Sequence, residues 1–373
     1  MKLSKSVVGM QELDAVADVI LNSGYLGMGE YVELFEKEIE CYLGNPDYKA
    51  VCVNSGTAAL HLAIAAVTKP GDEVLVPSFT FVASYQAISA AGCIPVSCDV
   101  DSDTWLLDLD DCEKRLSKKT RVIMPVYYAS NISNRKHVYT FAQKYNLRVV
   151  EDAAHAFGCI QEGRKMGADG DVICFSFDGI KNITSGEGGV IITSDQDVLD
   201  CVKDARLLGV CKDSEKRYAG QRSWDFDVTA QGYRYHMSNI FAAIGRVQLT
   251  RLDKEFAPKR KLLANRYVDL LRNVVGVKLM SGIDYTEVIP HIFPVRILAG
   301  KRDRIKSALN AVDIPTGIHY KPSHFLSLYK TDYPLPVTEK IYSEILTLPL
   351  HPELELTDIN FICSTLIKFL DNE

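Results

Sequence analysis

Residues 74–98 read VLVPSFTFVASYQAISAAGCIPVSC, a run of 25 residues without a charge. About 20 apolar residues can span a bilayer, so length alone raises a membrane helix. Pro77, Pro95, Gln86 and the Ser and Thr hydroxyls break the apolar surface, and the run resolves instead into a buried strand, a helix over 82–91 and a second buried strand over 94–98. Strand, helix and strand in so short a stretch is the unit of a parallel sheet, because parallel neighbours need a crossover long enough to hold a helix.

The same alternation extends in both directions. Short apolar runs at 50–53, 73–76, 94–98, 121–126, 148–151, 172–177 and 190–193 read as buried strands, with helix-length segments such as 58–67, 82–91 and 135–145 between them. The fold class is therefore α/β, a mostly parallel central sheet covered by helices on both faces, through about residue 240. Ser238 is a candidate N-cap for a helix with Ile240, Ala243, Ile244 and Val247 on one stripe. The basic stretch 251–272, interleaved with Asp253, Glu255 and Asp269, reads as a solvated helix face. After Pro290 a strand at 292–297, a helix at 301–311, a strand around Ile314 and helices near Val337 and over 357–370 suggest a smaller α+β domain. The boundaries are 1–250 for a large domain and 251–373 for a small C-terminal one.

Composition excludes several function classes. With 373 residues, 47% hydrophobic, 24% charged and a mean hydropathy of −0.01, the chain has the make-up of a folded globular protein and not of a disordered one. A net charge of −6 supplies no global positive field for nucleic acid or anionic lipid, so neither is an expected partner. The first twenty residues show no secretory signal pattern, and a cytoplasmic location follows. The ten cysteines show no zinc-ligand spacing and read mostly as small buried apolar residues; no metal is expected.

Three segments carry chemistry. VNSGTAA at 53–59 passes from strand through a small polar turn into a helix, leaving the amides of Gly56 and Thr57 free to meet an anion or simply to be capped. VVEDAAH at 149–155 brings two acids to the carboxyl end of a buried strand, where ligands bind in open α/β sheets and where Asp is also a common N-cap. CFSFDGIK at 174–181, followed by SGEGG at 185–189, holds Lys181 in a nearly uncharged, glycine-rich turn. Desolvation would lower its pKa and make its amine a nucleophile able to form a Schiff base; the plainer alternative is a surface loop lysine. A lysine, an acid and an amide-lined anion pocket are what pyridoxal 5'-phosphate (PLP) requires.

SGTAAL, PSFTFVAS, EDAAHAFG, FSFDGIKNITSGEGG, GYRYHMSNIFAAIGRVQL and HYKPSHFLSLY stand here in the order found in one family. The chain resembles the DegT/StrS-like sugar aminotransferases of the fold-type I PLP superfamily, from SGYLGMGEYVELFE near residue 23 to LPLHPEL near residue 350. The resemblance implies that Lys181 holds the cofactor and moves the proton, that Asp152 keeps the pyridine nitrogen protonated, and that His155 lies near the phenolic oxygen. It implies a ring held between Phe81 and Ala154, and a phosphate cradle of Ser55, Gly56, Thr57 and Ser176. Arg234 takes the position that reaches the cofactor phosphate of a dimer partner. Tyr25, Gly27, Glu187, His236, His319, Tyr320 and His324 fall at substrate positions.

By the same likeness the protein is a homodimer with active sites at the subunit interface. It would move an amino group from L-glutamate to a nucleotide-linked 4-keto-6-deoxyhexose, making a 4-amino-4,6-dideoxy sugar for surface polysaccharide such as O-antigen or for a natural product. Met237-Ser238-Asn239-Ile240 resembles members that aminate C4 more than those acting on a 3-keto sugar. A non-catalytic regulatory protein on the same fold is the competing reading, and retention of Asp152, Ser176 and Lys181 tells against it. The sequence departs from the family pattern at three places. Gly232-Tyr233-Arg234-Tyr235-His236 has arginine where asparagine is usual and histidine where arginine is usual, Tyr25 stands where tryptophan is frequent, and Ala129-Ser130-Asn131 replaces a segment that usually contains glycine.

Overall fold

The uncharged run folds as a strand, a helix and a strand: Glu73–Pro77 pairs in parallel with Ile94–Cys98 through the helix Val82–Ala90. The computed structural model describes residues 1–222 and 224–371. In chain order the strands are β1 (Lys49–Val53), β2 (Glu73–Pro77), β3 (Ile94–Cys98), β4 (Thr120–Ile123), β5 (Arg148–Asp152), the short hairpin β6 (Ile160–Gln161) and β7 (Arg164–Lys165), β8 (Val172–Ser176) and β9 (Gly189–Thr193). Apart from the hairpin they form one seven-stranded sheet in the order β1-β9-β8-β5-β4-β2-β3. β3, β2, β4, β5 and β8 are mutually parallel, and β9 lies antiparallel between β8 and β1. The carboxyl ends of β1, β2, β4, β5 and β8 therefore share one edge of the sheet with the start of β9.

Side chains alternate between the two faces of a strand, yet here both sets are apolar. Val51, Val74, Val76, Val150, Val172 and Ile191 pack under Leu60, Ala63 and Ile64 of the helix Gly56–Val67. Cys52, Ile173, Phe175, Val190 and Ile192 face the other way, against Phe35 and Phe157. Burial on both faces is what a parallel sheet needs, and it explains why β8 and β9, buried throughout, carry no charge. Gly245 lets the helix Asn239–Arg251 approach the helix Glu30–Leu43, since a Cβ there would lie 2.6 Å from the Phe35 ring.

A second sheet, β10 (Val277–Lys278), β11 (Phe293–Ile297) and β12 (Ile345–Leu348), is antiparallel. It shares an apolar core with the helices Ala257–Leu271, Arg302–Asn310 and Leu356–Asp371, through Leu263, Tyr267, Ile305, Val295, Leu346 and Ile362.

Several details differ from the sequence reading. No strand forms at Ile314; the segment makes only an isolated bridge at Gly317, and the third strand of this sheet is β12. Ser238 does cap its helix, its Oγ accepting the Phe241 N–H at 3.3 Å. The deeply buried residues are Asn239, Ala242, Ala243, Gly245, Gln248 and Leu249, so of the expected stripe Ala243 is buried while Ile240, Ile244 and Val247 are half-buried. The basic stretch is solvated except at Arg260, which is buried and donates to the carbonyls of Pro290 and His291 at 3.2 and 3.1 Å. Seven of the ten cysteines are buried and all are free thiols. Among the described residues no helix is long and apolar enough to cross a membrane.

Candidate active site

A cavity of about 490 Å³ opens at the edge where the parallel strands end. β1 leads into Ser55, whose Oγ accepts the Ala58 N–H at 3.1 Å and so caps the helix Gly56–Val67. That cap leaves the N–H groups of Gly56 and Thr57 facing the cavity, at the positive end of the helix. Ser176, at the end of β8, closes the same corner. A Cβ on Gly56 would stand 2.8 Å from the Ser176 Cβ and 3.0 Å from its Oγ, so a side chain there would fill the concavity.

Glu151 and Asp152 end β5, and the pleat sends them to opposite faces. Glu151 is buried away from the cavity, where it accepts from Arg135 Nε and Nη2 at 2.8 and 3.0 Å, Tyr127 at 2.5 Å and Tyr139 at 2.6 Å. Asp152 lines the cavity and accepts from Ser84 Oγ at 2.7 Å and the Ala154 N–H at 3.2 Å. Burial pushes its carboxyl above the ordinary range, against the pull of those two donors and of the Lys181 charge.

Lys181 sits in a turn held by Phe177 N–H to Gly188 O at 2.8 Å and Ser185 N–H to Phe177 O at 3.0 Å. Burial lowers its pKa, opposed by Asp152 and Asp178. The ammonium has no hydrogen bond or ion pair among the described residues, so its proton is not tied to a structural partner. His155 is buried on the cavity wall with Tyr320 Oη 3.2 Å from its Nε2 and the His291 ring centroid 4.4 Å away. Phe81 and Ala154 line the same space.

Residues 8–367 match the DegT/DnrJ/EryC1/StrS aminotransferase family. The chain belongs to that family. Among solved structures it is similar to the aminotransferase TlmJ from Streptoalloteichus hindustanus, at 30% identity and a TM-score of 0.90, covering 99% of this chain and 98% of that one. It is similar to Spr1654 from Streptococcus pneumoniae in its PLP form at 28% identity and a TM-score of 0.89, over 99% and 98% of the two chains; that protein is also solved in a PMP form. The sugar aminotransferase CalS13 from Micromonospora echinospora matches at 28% identity and a TM-score of 0.88, over 98% and 99%. The α/β fold and the family read from the motifs are borne out, and PLP is the cofactor of the DegT/StrS enzymes.

The residues singled out from sequence fall into two groups. Ser55, Gly56, Thr57, Phe81, Asp152, Ala154, His155, Ser176, Lys181, Glu187, His319 and Tyr320 all line the one cavity. Tyr25, Gly27, Arg234, His236 and His324 do not. His324 is buried behind the end of β2, its Nδ1 2.6 Å from Ser78 Oγ, and the Gly27 carbonyl accepts the Asn239 N–H at 2.9 Å. These two have structural partners where the resemblance implied substrate contacts.

Arg234 is exposed and shares a recess of about 100 Å³ with Arg217 and His236. Its direction is set by its neighbours: Tyr233 and Tyr235 stack at 5.0 Å and both rings rest on His61, so the residue between them points away from its own cavity. Burial, then the charges of Arg234, Arg217 and Arg206, push His236 down to about 4. Tyr25 points its hydroxyl toward Arg222 and Arg217, which lower the phenol against the opposing effect of burial. Ser84, Thr80, Asp178 and His291 join the site without having been singled out. Ser84 lies inside PSFTFVAS, but nothing local in that motif shows that its hydroxyl reaches Asp152, 68 positions on.

Proposed function

We propose that this protein is a PLP-dependent nucleotide-sugar aminotransferase, taking the amino group of L-glutamate and delivering it to a nucleotide-linked 4-keto-6-deoxyhexose. The observation that carries this reading is the convergence of Lys181, Asp152 and the Gly56–Thr57–Ser176 corner on one cavity. The residues present fit the cofactor. Gly56 keeps the corner concave with free amides for a phosphate, a buried carboxylate stands at Asp152, and Lys181, without a hydrogen bond or ion pair among the described residues, lines the same cavity. When bound, PLP supplies an electron sink for the carbon that exchanges its amino group.

The protein's part is positioning and electrostatics. Asp152, dehydrated and steadied by Ser84 and Ala154, would keep a proton on the pyridine nitrogen. Lys181, with its pKa lowered, is suited to take a proton from the substrate carbon and return it one atom away. Phe81 and Ala154 would confine a flat ring, and the amides of Gly56 and Thr57 with Ser176 Oγ would hold its phosphate. His155 would stand at the ring's edge. Glu187, His319 and Tyr320 border the remaining space, which supports a polar, hydroxyl-bearing acceptor.

The outward-facing Arg234, with Phe226, Val228 and Leu208 exposed beside it, supports a homodimer in which each cavity is completed by the partner's loop. The resulting 4-amino-4,6-dideoxy sugar would serve surface polysaccharide or a natural product. Incubating the purified protein with PLP, L-glutamate and 4-keto or 3-keto nucleotide sugars, with mass detection of the products, tests the reading. Amination of the 4-keto substrate is expected; amination of the 3-keto substrate alone would reassign the carbon, and turnover by Lys181→Ala would overturn the mechanism.

A further inference from the structure

The segment Ala129-Ser130-Asn131, one of the departures from the family pattern in the sequence, belongs to a turn that packs on His155. Ala129 and Ser130 both adopt left-handed backbone, with φ of 51° and 68°, although neither is glycine. Both are buried, and the turn is closed by Ser130 N–H to Tyr127 O at 3.1 Å and Asn131 N–H to Tyr128 O at 3.0 Å. Two consecutive left-handed residues persist only where the surroundings over-determine them, and such strain gathers at functional sites.

The turn makes two contacts with His155. The Ala129 N–H donates to His155 Nδ1 at 3.2 Å. Ser130 Oγ donates to the His155 carbonyl at 2.5 Å and accepts the His291 N–H at 3.0 Å, so one hydroxyl ties the histidine backbone to the segment carrying the stacked His291 ring. A backbone N–H can only donate. Nδ1 must therefore offer its lone pair, and in the neutral imidazole the proton resides on Nε2, the nitrogen beside Tyr320.

We propose that the Ala129–Ser130 turn is a positioning device that locks His155 in the Nε2–H tautomer, so that it presents a fixed neutral donor, and not a proton carrier, to Tyr320 on the cavity wall. The groups facing the ring are Tyr128, His291, His319, Tyr320 and Lys181. None is an acid that would favour an imidazolium. Burial, then the Lys181 and His319 charges, keeps the imidazole well below its usual range. With Nε2–H donating, the Tyr320 hydroxyl can accept from it and turn its own proton into the cavity. The tautomer is a property of this chain alone; only the ligand it serves rests on the proposed function.

The test is 15N NMR of the protein as purified, labelled at histidine, with His155 assigned by comparison with His155→Gln. At neutral pH Nδ1 is expected at the pyridine-type position and Nε2 at the pyrrole-type position. Ser130→Ala should release the turn and move both signals toward the tautomer average, with kcat falling on the order of tenfold and KM little changed. Ala129→Gly, which keeps the N–H and suits the left-handed backbone, should retain the wild-type signals. An Nδ1–H or doubly protonated His155 in the wild type overturns the proposal whether or not Ser130→Ala folds, as do unchanged signals in folded Ser130→Ala. A protein lacking PLP or aminotransfer would instead sink the proposed function and leave the tautomer measurement valid.

Discussion

Two adjacent acids divide the work at the end of β5. Asp152 has two donors, one face toward the cavity and a carboxylate made costly by burial, whereas Glu151 has its lone pairs occupied by Arg135, Tyr127 and Tyr139. Glu151 therefore cannot stand in for its neighbour. Asp152→Ala should lower kcat by about 100-fold or more in steady-state assays, the scale of losing a dominant electrostatic contribution; a loss of only a few-fold would refute the assignment. Glu151→Gln should act on stability instead. It leaves the buried Arg135 with only the more exposed Asp169 as a charged partner, and a destabilisation of about 3 kcal/mol by urea unfolding is expected, with near-normal turnover in the folded fraction.

The helix Gly56–Val67 is the element that turns strand order into a binding corner. Its N-terminus is brought to Ser176 because β1 and β8 are separated only by β9, whose first residue, Gly189, pairs with both Val53 and Ser176. Gly56 is the closest point of that approach. Gly56→Ala places a methyl against Ser176 and shifts the free amides, so PLP affinity should fall by about 10-fold, the worth of one strong hydrogen bond to a charged group. Fluorescence titration of the cofactor measures it. Unchanged affinity would mean that the phosphate is held elsewhere.

At the scale of the molecule, the exposed Arg234 predicts complementation between subunits. In a C2 dimer of Lys181→Ala with Arg234→Ala, one site contains both lesions and the other neither. Mixing the two inactive variants should restore activity, and failure to do so would confine Arg234 to its own surface. Stability should also depend on pH through histidines buried in the neutral form. His319 and His236 are pushed down to about 4 by burial, and His155 and His291 lie well below their usual range. The unfolded chain binds protons near pH 6.5 and the native protein does not, so stability is full above that value and falls as pH drops toward 4. Each such histidine contributes up to about 1.4 kcal/mol per pH unit, less at the half-buried His319 and His236 where solvent screens. Urea midpoints should drop from pH 7 to pH 5; a flat profile would show that these rings protonate without unfolding.

Strand positions were legible because a strand buried on both faces must be a short run without charge, and the runs at 172–177 and 190–193 coincide with β8 and β9 to within a residue. The lysine, the acid and the small polar turn were legible because their chemistry needs particular residue types next to strand ends. Which of Glu151 and Asp152 faces the cavity was not, since both alternation phases were apolar and the pattern could not mark a face. Nor was the burial of Arg260, whose partners are carbonyls 30 and 31 positions away. Local sequence determined where the sheet and its reactive ends lie; the tertiary structure alone decided which way each side chain points and which distant group answers it, because hydrogen bonds and ion pairs are made across space by residues that share no local pattern.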